Sequence, residues 1–400
     1  MNAPHEAGHP AWRPATQAVR GGTRRSSFGE TSEAMYLSSG FVYDSAEQAE
    51  ARFKGEADGF IYSRYGNPTV KMFEERIALL DGAEACYGTA SGMAAVFVSL
   101  LALTKAGDHV VGSRALFGSC HYILTEILPR YGIATTLVDG PDLDQWRDAL
   151  TSNTKAVFLE SPANPTLELI DIPAVCELAH KVGAKVVIDN VFATPLLQRP
   201  FELGADVVVY SATKHIDGQG RCLGGAVLGS FDYIDKLVQP FIRHTGPALS
   251  PFNAWVLLKG LETLALRVNH MSGSALKVAE ALEGRDDVDR VLYPGLPSHP
   301  QFKLAQRQMK AGGTVVAFEL PGGQPRAFKM LNALRLIDIS NNLGDSKSLI
   351  THPTTSTHRA MGAEGRARIG VSDGMVRLSV GLEDVEDLIE DLFQALDAAR

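Results

Sequence analysis

Five short apolar runs rich in β-branched residues lie between residues 108 and 211, separated by helical stretches. This alternation limits the possible folds more than any other feature of the chain. The runs are DHVVGS (108–113), IATTLVDG (133–140), KAVFLESP (155–162), KVVIDN (185–190) and DVVVYS (206–211), with amphipathic stretches such as DQWRDAL and IPAVCELAHKVG between them. A βαβ series of this kind folds as a mainly parallel sheet flanked by helices. The expected class is therefore α/β, with one large domain of this type and a smaller C-terminal α+β domain. At 400 residues the chain exceeds what a single ordinary core holds.

The second domain is expected after a long helical stretch, FNAWVLLKGLETLALRVNHMSGSALKVAEALEG, that begins after Pro251. It would contain the strand-like GTVVAFEL (313–320) and VRLSVG (376–381), and a final helix with Val385, Leu388, Ile389, Leu392, Phe393 and Leu396 on one face. Residues 1–66 show no steady period and are rich in Gly, Ser, Pro and aromatic residues, so they are read as an arm lying on another surface. The expected division is arm 1–66, large domain 67–260 and C-terminal domain 261–400.

Composition narrows the function. A formal net charge of −8 argues against a nucleic-acid binder, which needs a basic face, and favours a small soluble substrate. Cys86, Cys120, Cys176 and Cys222 show neither metal-site nor disulfide-scaffold spacing, and reduced thiols point to a cytoplasmic protein. The first residues lack a signal-peptide pattern, and the longest apolar run, MAAVFVSLLAL, is too short to span a bilayer.

Two strands end in polar residues that a packed core would not select. KVVI is followed by Asp189, and DVVVY by Ser211, Thr213 and Lys214, which open a glycine-rich loop, HIDGQGRCLGG. Ligands bind at the carboxyl ends of strands in open α/β sheets. Taken alone, Lys214 could be a solvated lysine in a turn, and Asp189 could cap a helix, bind a metal or pair with a cation. Together they suit a Schiff-base-forming amine and an acid that holds a proton on a pyridine nitrogen, the two requirements of pyridoxal 5'-phosphate (PLP) chemistry. A phosphate cradle is available at Ser91, Gly92 and Met93, where ACYGTASGMAAVFVSLLAL turns from strand to helix, with hydroxyls added by Ser211 and Thr213. Arg377 could grip an α-carboxylate through its fork, and Asn164 in SPANPT could bind that carboxylate or the ring hydroxyl. His352 and His358 lack an accompanying metal-ligand signature and are read as structural, and no metal is expected.

With these residues assembled, the chain closely resembles the Cys/Met-metabolism family of PLP enzymes, fold type I. The likeness runs from about residue 14 to 400 through YSRYGNPT, SGMAA, ESPANPT, VIDN, SATK and VRLSVGLED. It implies that Lys214 is the PLP lysine and general acid/base and Asp189 the ring-nitrogen partner. Ser91, Gly92, Met93, Ser211 and Thr213 would hold the phosphate. Tyr62 and Arg64 would reach a neighbouring subunit's phosphate from the arm, Tyr62 also serving in catalysis. Arg377, Asn164 and Asn342 would face the substrate. The resemblance also implies a homo-oligomer, a tetramer built from dimers that share active sites.

Two departures from the family pattern bear on the reaction. Phe117 stands where many members stack a tyrosine on the ring, so it offers no phenol to move protons, and Ser119 stands where γ-lyases often have a cysteine. Asn342 replaces the usual serine before LGD. These changes resemble the subgroup that performs γ-replacement, joining sulfide to O-succinylhomoserine to give homocysteine and succinate in methionine biosynthesis. Cystathionine γ-synthase, O-acetylhomoserine sulfhydrylase and γ-lyase activities are the alternatives within the family. A Rossmann dehydrogenase is the alternative from another class, and SGMAA does not supply its GxGxxG.

Overall fold

The computed structural model describes residues 12–400; residues 1–11 of the expected arm lie outside the described residues. Seven strands form the first sheet: β1 (Ala85–Thr89), β2 (His109–Ser113), β3 (Ala134–Val138), β4 (Thr154–Glu160), β5 (Lys185–Asp189), β6 (Val207–Ser211) and β7 (Gly225–Gly229). Their spatial order is β1-β7-β6-β5-β4-β2-β3. The pairs from β6 through β3 are parallel, while β7 runs antiparallel to both β1 and β6. Side chains alternate between two cores. Val186, Ile188, Val208 and Tyr210 pack on one face, and Val187, Val207, Val209 and Val227 on the other. A sheet covered on both faces explains why the runs read as continuously apolar, and each fully buried aliphatic side chain contributes on the order of 1.5–3 kcal/mol.

A second sheet holds β8 (Arg290–Leu292), β9 (Val315–Glu319), β10 (Asp338–Ile339), β11 (Leu349–Thr351) and β12 (Met375–Ser379) in the order β10-β11-β12-β9-β8. Only β10 and β11 pair in parallel. The final helix, Val385–Ala398, buries Leu388, Leu392 and Leu396 against this sheet, as its spacing requires.

The single long helix expected after Pro251 is instead two helices, Pro251–Glu262 and Leu264–Glu283, broken at Thr263. The amphipathic period runs through the break, so tertiary contacts decide it. A Cβ on Gly260 would lie 2.2 Å from the Ile216 carbonyl oxygen, and Arg267 donates to the carbonyls of Gly260 and His215, each at 2.7 Å. The break therefore anchors the loop that follows Lys214.

The arm is not uniformly detached. Helix Pro14–Arg20 buries Ala18, and the carboxylate of Glu33 accepts from the fully buried Arg76 (2.5 Å) and from Lys259 (2.6 Å). Further along, Phe28 (94% exposed), Leu37, Val42 (93%), Phe53 and Tyr62 face outward. Helix Pro68–Asp81 starts at the expected Asn-Pro turn, with the Asn67 side chain accepting from the N–H groups of Thr69 and Val70.

Candidate active site

The carboxyl ends of β4, β5 and β6 lie side by side. Glu160 is in register with Asp189, and Asp189 with Val209, two residues before Ser211. β5 is buried from Val186 to Ile188 and β6 from Val207 to Tyr210, and the last residues of both, Asp189 and Ser211, become partly accessible. Ser91, Gly92, Met93, Phe117, Thr213, Lys214 and Asn342 share that intermediate exposure. A cleft opens here between the two sheets.

Helix Gly92–Leu101 abuts the end of β6. A Cβ on Gly92 would lie 2.5 Å from the Ser211 Cβ, and one on Gly225 would lie 2.2 Å from the Ser91 carbonyl oxygen, so both positions need glycine for close backbone approach. The Ser91 hydroxyl caps the helix by accepting from the Ala94 N–H at 3.1 Å. The Thr213 hydroxyl closes the following loop, accepting from the Gly224 N–H at 3.1 Å. The Ser211 hydroxyl makes no hydrogen bond among the described residues and, with the first-turn N–H groups of Gly92 and Met93, forms a concave set of donors suited to an anion.

Lys214 follows β6 and donates to the Asn342 Oδ1 at 2.5 Å. Burial, and secondarily Arg377, lowers its amine from 10.5 to about 8. Arg377, on β12, is 1% exposed; it donates to the Asn164 Oδ1 at 3.0 Å and to the backbone carbonyls of Asn341 and Asn342. Its Nε has no hydrogen-bond partner. The surface ion pair that a lone strand arginine usually makes is absent among the described residues, and the arginine instead joins the two domains at the cleft. The His358 imidazole contacts the Asn164 carbonyl at 3.2 Å, and His352 that of Asp373 at 2.8 Å.

On the other side of the cleft, Asp189 accepts from the Val191 N–H at 3.0 Å, and burial pushes its carboxyl above the usual carboxylate range. Glu160, 5% exposed, accepts from the Phe117 N–H at 2.8 Å. Reading the sequence for functional residues missed Glu160, although it ends β4 by the same pattern that marks Asp189 on β5. Tyr62 and Arg64 are not brought to this cleft. Arg64 stacks over the Tyr62 and Tyr65 rings and donates to the Arg243 carbonyl, and Tyr87 on β1 donates to the Arg64 carbonyl, all at the outer edge of the sheet.

An amine with a lowered pKa, an acid with a raised one and a set of anion donors at one sheet edge suit a phosphorylated aldehyde. The family model described as Cys/Met metabolism PLP-dependent enzyme matches residues 15–397. The chain belongs to this family. Within it, the chain is 64% identical over 386 residues to a Mycobacterium tuberculosis protein named O-succinylhomoserine sulfhydrylase, covering 96% of this chain and 95% of the relative. A Pseudomonas aeruginosa protein of the same name is 49% identical, with 96% and 95% covered. A solved structure from Campylobacter jejuni, containing N'-pyridoxyl-lysine-5'-monophosphate, superposes with a TM-score of 0.93 at 33% identity, covering 96% of this chain and 100% of that one. As a member of this family the chain is PLP-dependent and has the fold expected of it, a large α/β domain whose sheet is mostly parallel.

Proposed function

We propose that this enzyme replaces the succinyloxy group on Cγ of O-succinylhomoserine with sulfide, giving homocysteine and succinate. The observation that carries the reading is the setting of Lys214. Its amine has Asn342 as its one hydrogen-bond partner among the described residues, and Phe117 offers no second proton-moving group. The names of the two relatives support the same reaction.

The residues present fit PLP. Lys214 is the amine that would hold the aldehyde carbon, and its lowered pKa keeps a useful fraction neutral near pH 7. Asp189, a buried acid with no cation beside it, suits the ring nitrogen. Gly92, Met93 and Ser211 would hold the phosphate, with Ser91 and Thr213 shaping the cradle through the bonds described above. Phe117 would stack on the ring. When bound, PLP supplies an electron sink for the charge left by proton removal.

The rest of the chemistry falls to the chain's own side chains. Arg377, steadied by Asn164, grips the substrate α-carboxylate, and its unpartnered Nε is free to donate. Lys214 removes the α-proton and then a β-proton from the same face and later returns them, so one base serves both carbons. Succinate departs from Cγ, and sulfide forms the new C–S bond there. Asn342, expected to face the substrate, acts first on Lys214, restraining the amine between proton transfers.

Tyr62 and Arg64 are taken to complete the cradle of a second copy, since the exposed arm carries them away from their own cleft. A dimer with shared sites follows from this exchange, and the family resemblance adds the pairing of two such dimers into a tetramer. No helix among the described residues is long and apolar enough to cross a membrane. The four cysteines are free, which favours the cytoplasm.

Product analysis tests the reading. Supplied with O-succinylhomoserine, O-acetylhomoserine, sulfide and competing cysteine, the enzyme should form homocysteine, and faster from the succinyl ester. Cystathionine as main product, preference for the acetyl ester, or 2-oxobutanoate release would assign it to one of the rival activities.

A further inference from the structure

Glu160 is a buried carboxyl with both oxygens turned to backbone N–H groups, and no cation among the described residues offsets it. Oε1 takes the N–H of Phe117, the residue that opens helix Gly118–Tyr122, and Oε2 lies 3.5 Å from the N–H of Asn164. The Cys120 thiol on that helix and the Asp189 carboxyl complete the surroundings, with the ligand atoms of Cys120, Glu160 and Asp189 all within 4.8 Å of one another. Burial, and then Asp189, pushes the Glu160 carboxyl above its usual range.

Three cleft-facing segments therefore meet at one side chain. The segment after β2 carries Phe117, the segment after β4 carries Asn164 and through it Arg377, and β5 ends in Asp189. Phe117 has no capping side chain of its own, so the acceptor from β4 fixes where its backbone sits. A shift of this acceptor would move the backbone from which the Phe117 ring projects.

We propose that Glu160 is a positioning residue for the cofactor, holding the Phe117 ring at a fixed height above the plane that Asp189 defines and keeping Asn164 aligned with Arg377. The proposal rests on the reading of the cleft as the PLP site. Glu160 need not touch the cofactor or carry charge to hold Phe117, because an amide oxygen at the same reach keeps that shorter bond, while the longer one to Asn164 needs the second carboxyl oxygen.

The experiment uses PLP-loaded wild type and the variants Glu160→Gln, Glu160→Ala and Glu160→Asp, reading the visible circular dichroism of the bound cofactor, its rate of loss on dilution, and kcat/KM. Far-UV circular dichroism serves as the folding control. Glu160→Gln should keep the wild-type visible signal and stay within about threefold in kcat/KM, since its amide oxygen still accepts from Phe117. Glu160→Ala should lose much of the visible signal, release cofactor about tenfold faster and lose about tenfold in kcat/KM, the usual consequence of an unmade buried hydrogen bond. If the alanine variant fails to fold, Glu160→Asp, one methylene short, should show the same loss of visible signal. A wild-type visible signal in the alanine or aspartate variant overturns the proposal, as does damage in Glu160→Gln equal to that in Glu160→Ala. A folded wild type that shows no cofactor band would instead overturn the reading of the cleft itself.

Discussion

The Lys214 amine donates to the Asn342 side chain at 2.5 Å, and the backbone carbonyl of the same asparagine accepts from Arg377 at 3.2 Å. One residue of the second domain thus restrains the proposed base and supports the proposed carboxylate grip. Removing its side chain should leave Lys214 mobile. Asn342→Ala is expected to lower kcat about tenfold with a smaller change in KM, because a misplaced base costs the proton transfers more than binding. Steady-state kinetics check this, and a KM effect with kcat unchanged would assign Asn342 to substrate binding alone.

Burial places the Lys214 amine near 8 rather than 10.5. In cofactor-free protein, capture of PLP trapped by borohydride should rise with pH through about 8, with the label on Lys214. The same shift bears on stability. Because the folded pKa is depressed, the unfolded chain binds more protons between about 8 and 10.5, so stability rises across that window, by on the order of 3 kcal/mol. Lys214→Met should abolish both effects, and a capture midpoint near 10.5 would contradict the buried setting.

Arg377 meets Asn164 through Nη1 and the Asn341 and Asn342 carbonyls through Nη2, in a planar fork that lysine lacks. Arg377→Lys keeps the charge, yet should raise KM for O-succinylhomoserine about ten- to hundredfold by losing the bidentate grip. An unchanged KM would remove Arg377 from carboxylate binding.

Far from the cleft, Glu33 ties the arm to Arg76 and Lys259. Burial alone would raise its carboxyl, but hydrogen bonds from Lys259 and then Arg76 outweigh burial and bring it down to about 2. Its contribution is therefore present above about pH 4.5 and is lost as pH falls toward 2. Glu33→Ala should cost about 3 kcal/mol at pH 7, the low end for a broken buried pair because Glu262 remains 3.7 Å from Arg76. Its acid denaturation should be less steep below pH 4.5 than that of wild type. Chemical denaturation at several pH values measures both.

The large sheet was legible where strands are long and apolar, and the site where such a strand ends in a residue the core would reject, as at Asp189 and Lys214. β7, as long as β5 and β6, escaped notice because GAVLG is glycine-bounded, has a single β-branched residue and runs antiparallel, and β8, β10 and β11 have only two or three residues each. The break at Thr263 has no local signal, since the His215 and Ile216 carbonyls, distant in sequence, meet Arg267 and Gly260 there. Glu160 carried the same signal as Asp189 but was absorbed into the ESPANPT motif. The partner of Asn342 lies 128 residues away, beyond what spacing along a chain reveals.

Gly225 stands in register with Thr89 on one side and Ser211 on the other. Residues separated by more than a hundred positions are sewn into one row, and the anion cradle is the hem of that seam. No contiguous piece of the chain contains the cradle, so it comes into being only when the last lateral pairing of the sheet has closed. A ligand held there acts as a clasp on the sheet's edge: whatever it gains in binding is added to the cost of unzipping β1 from β7.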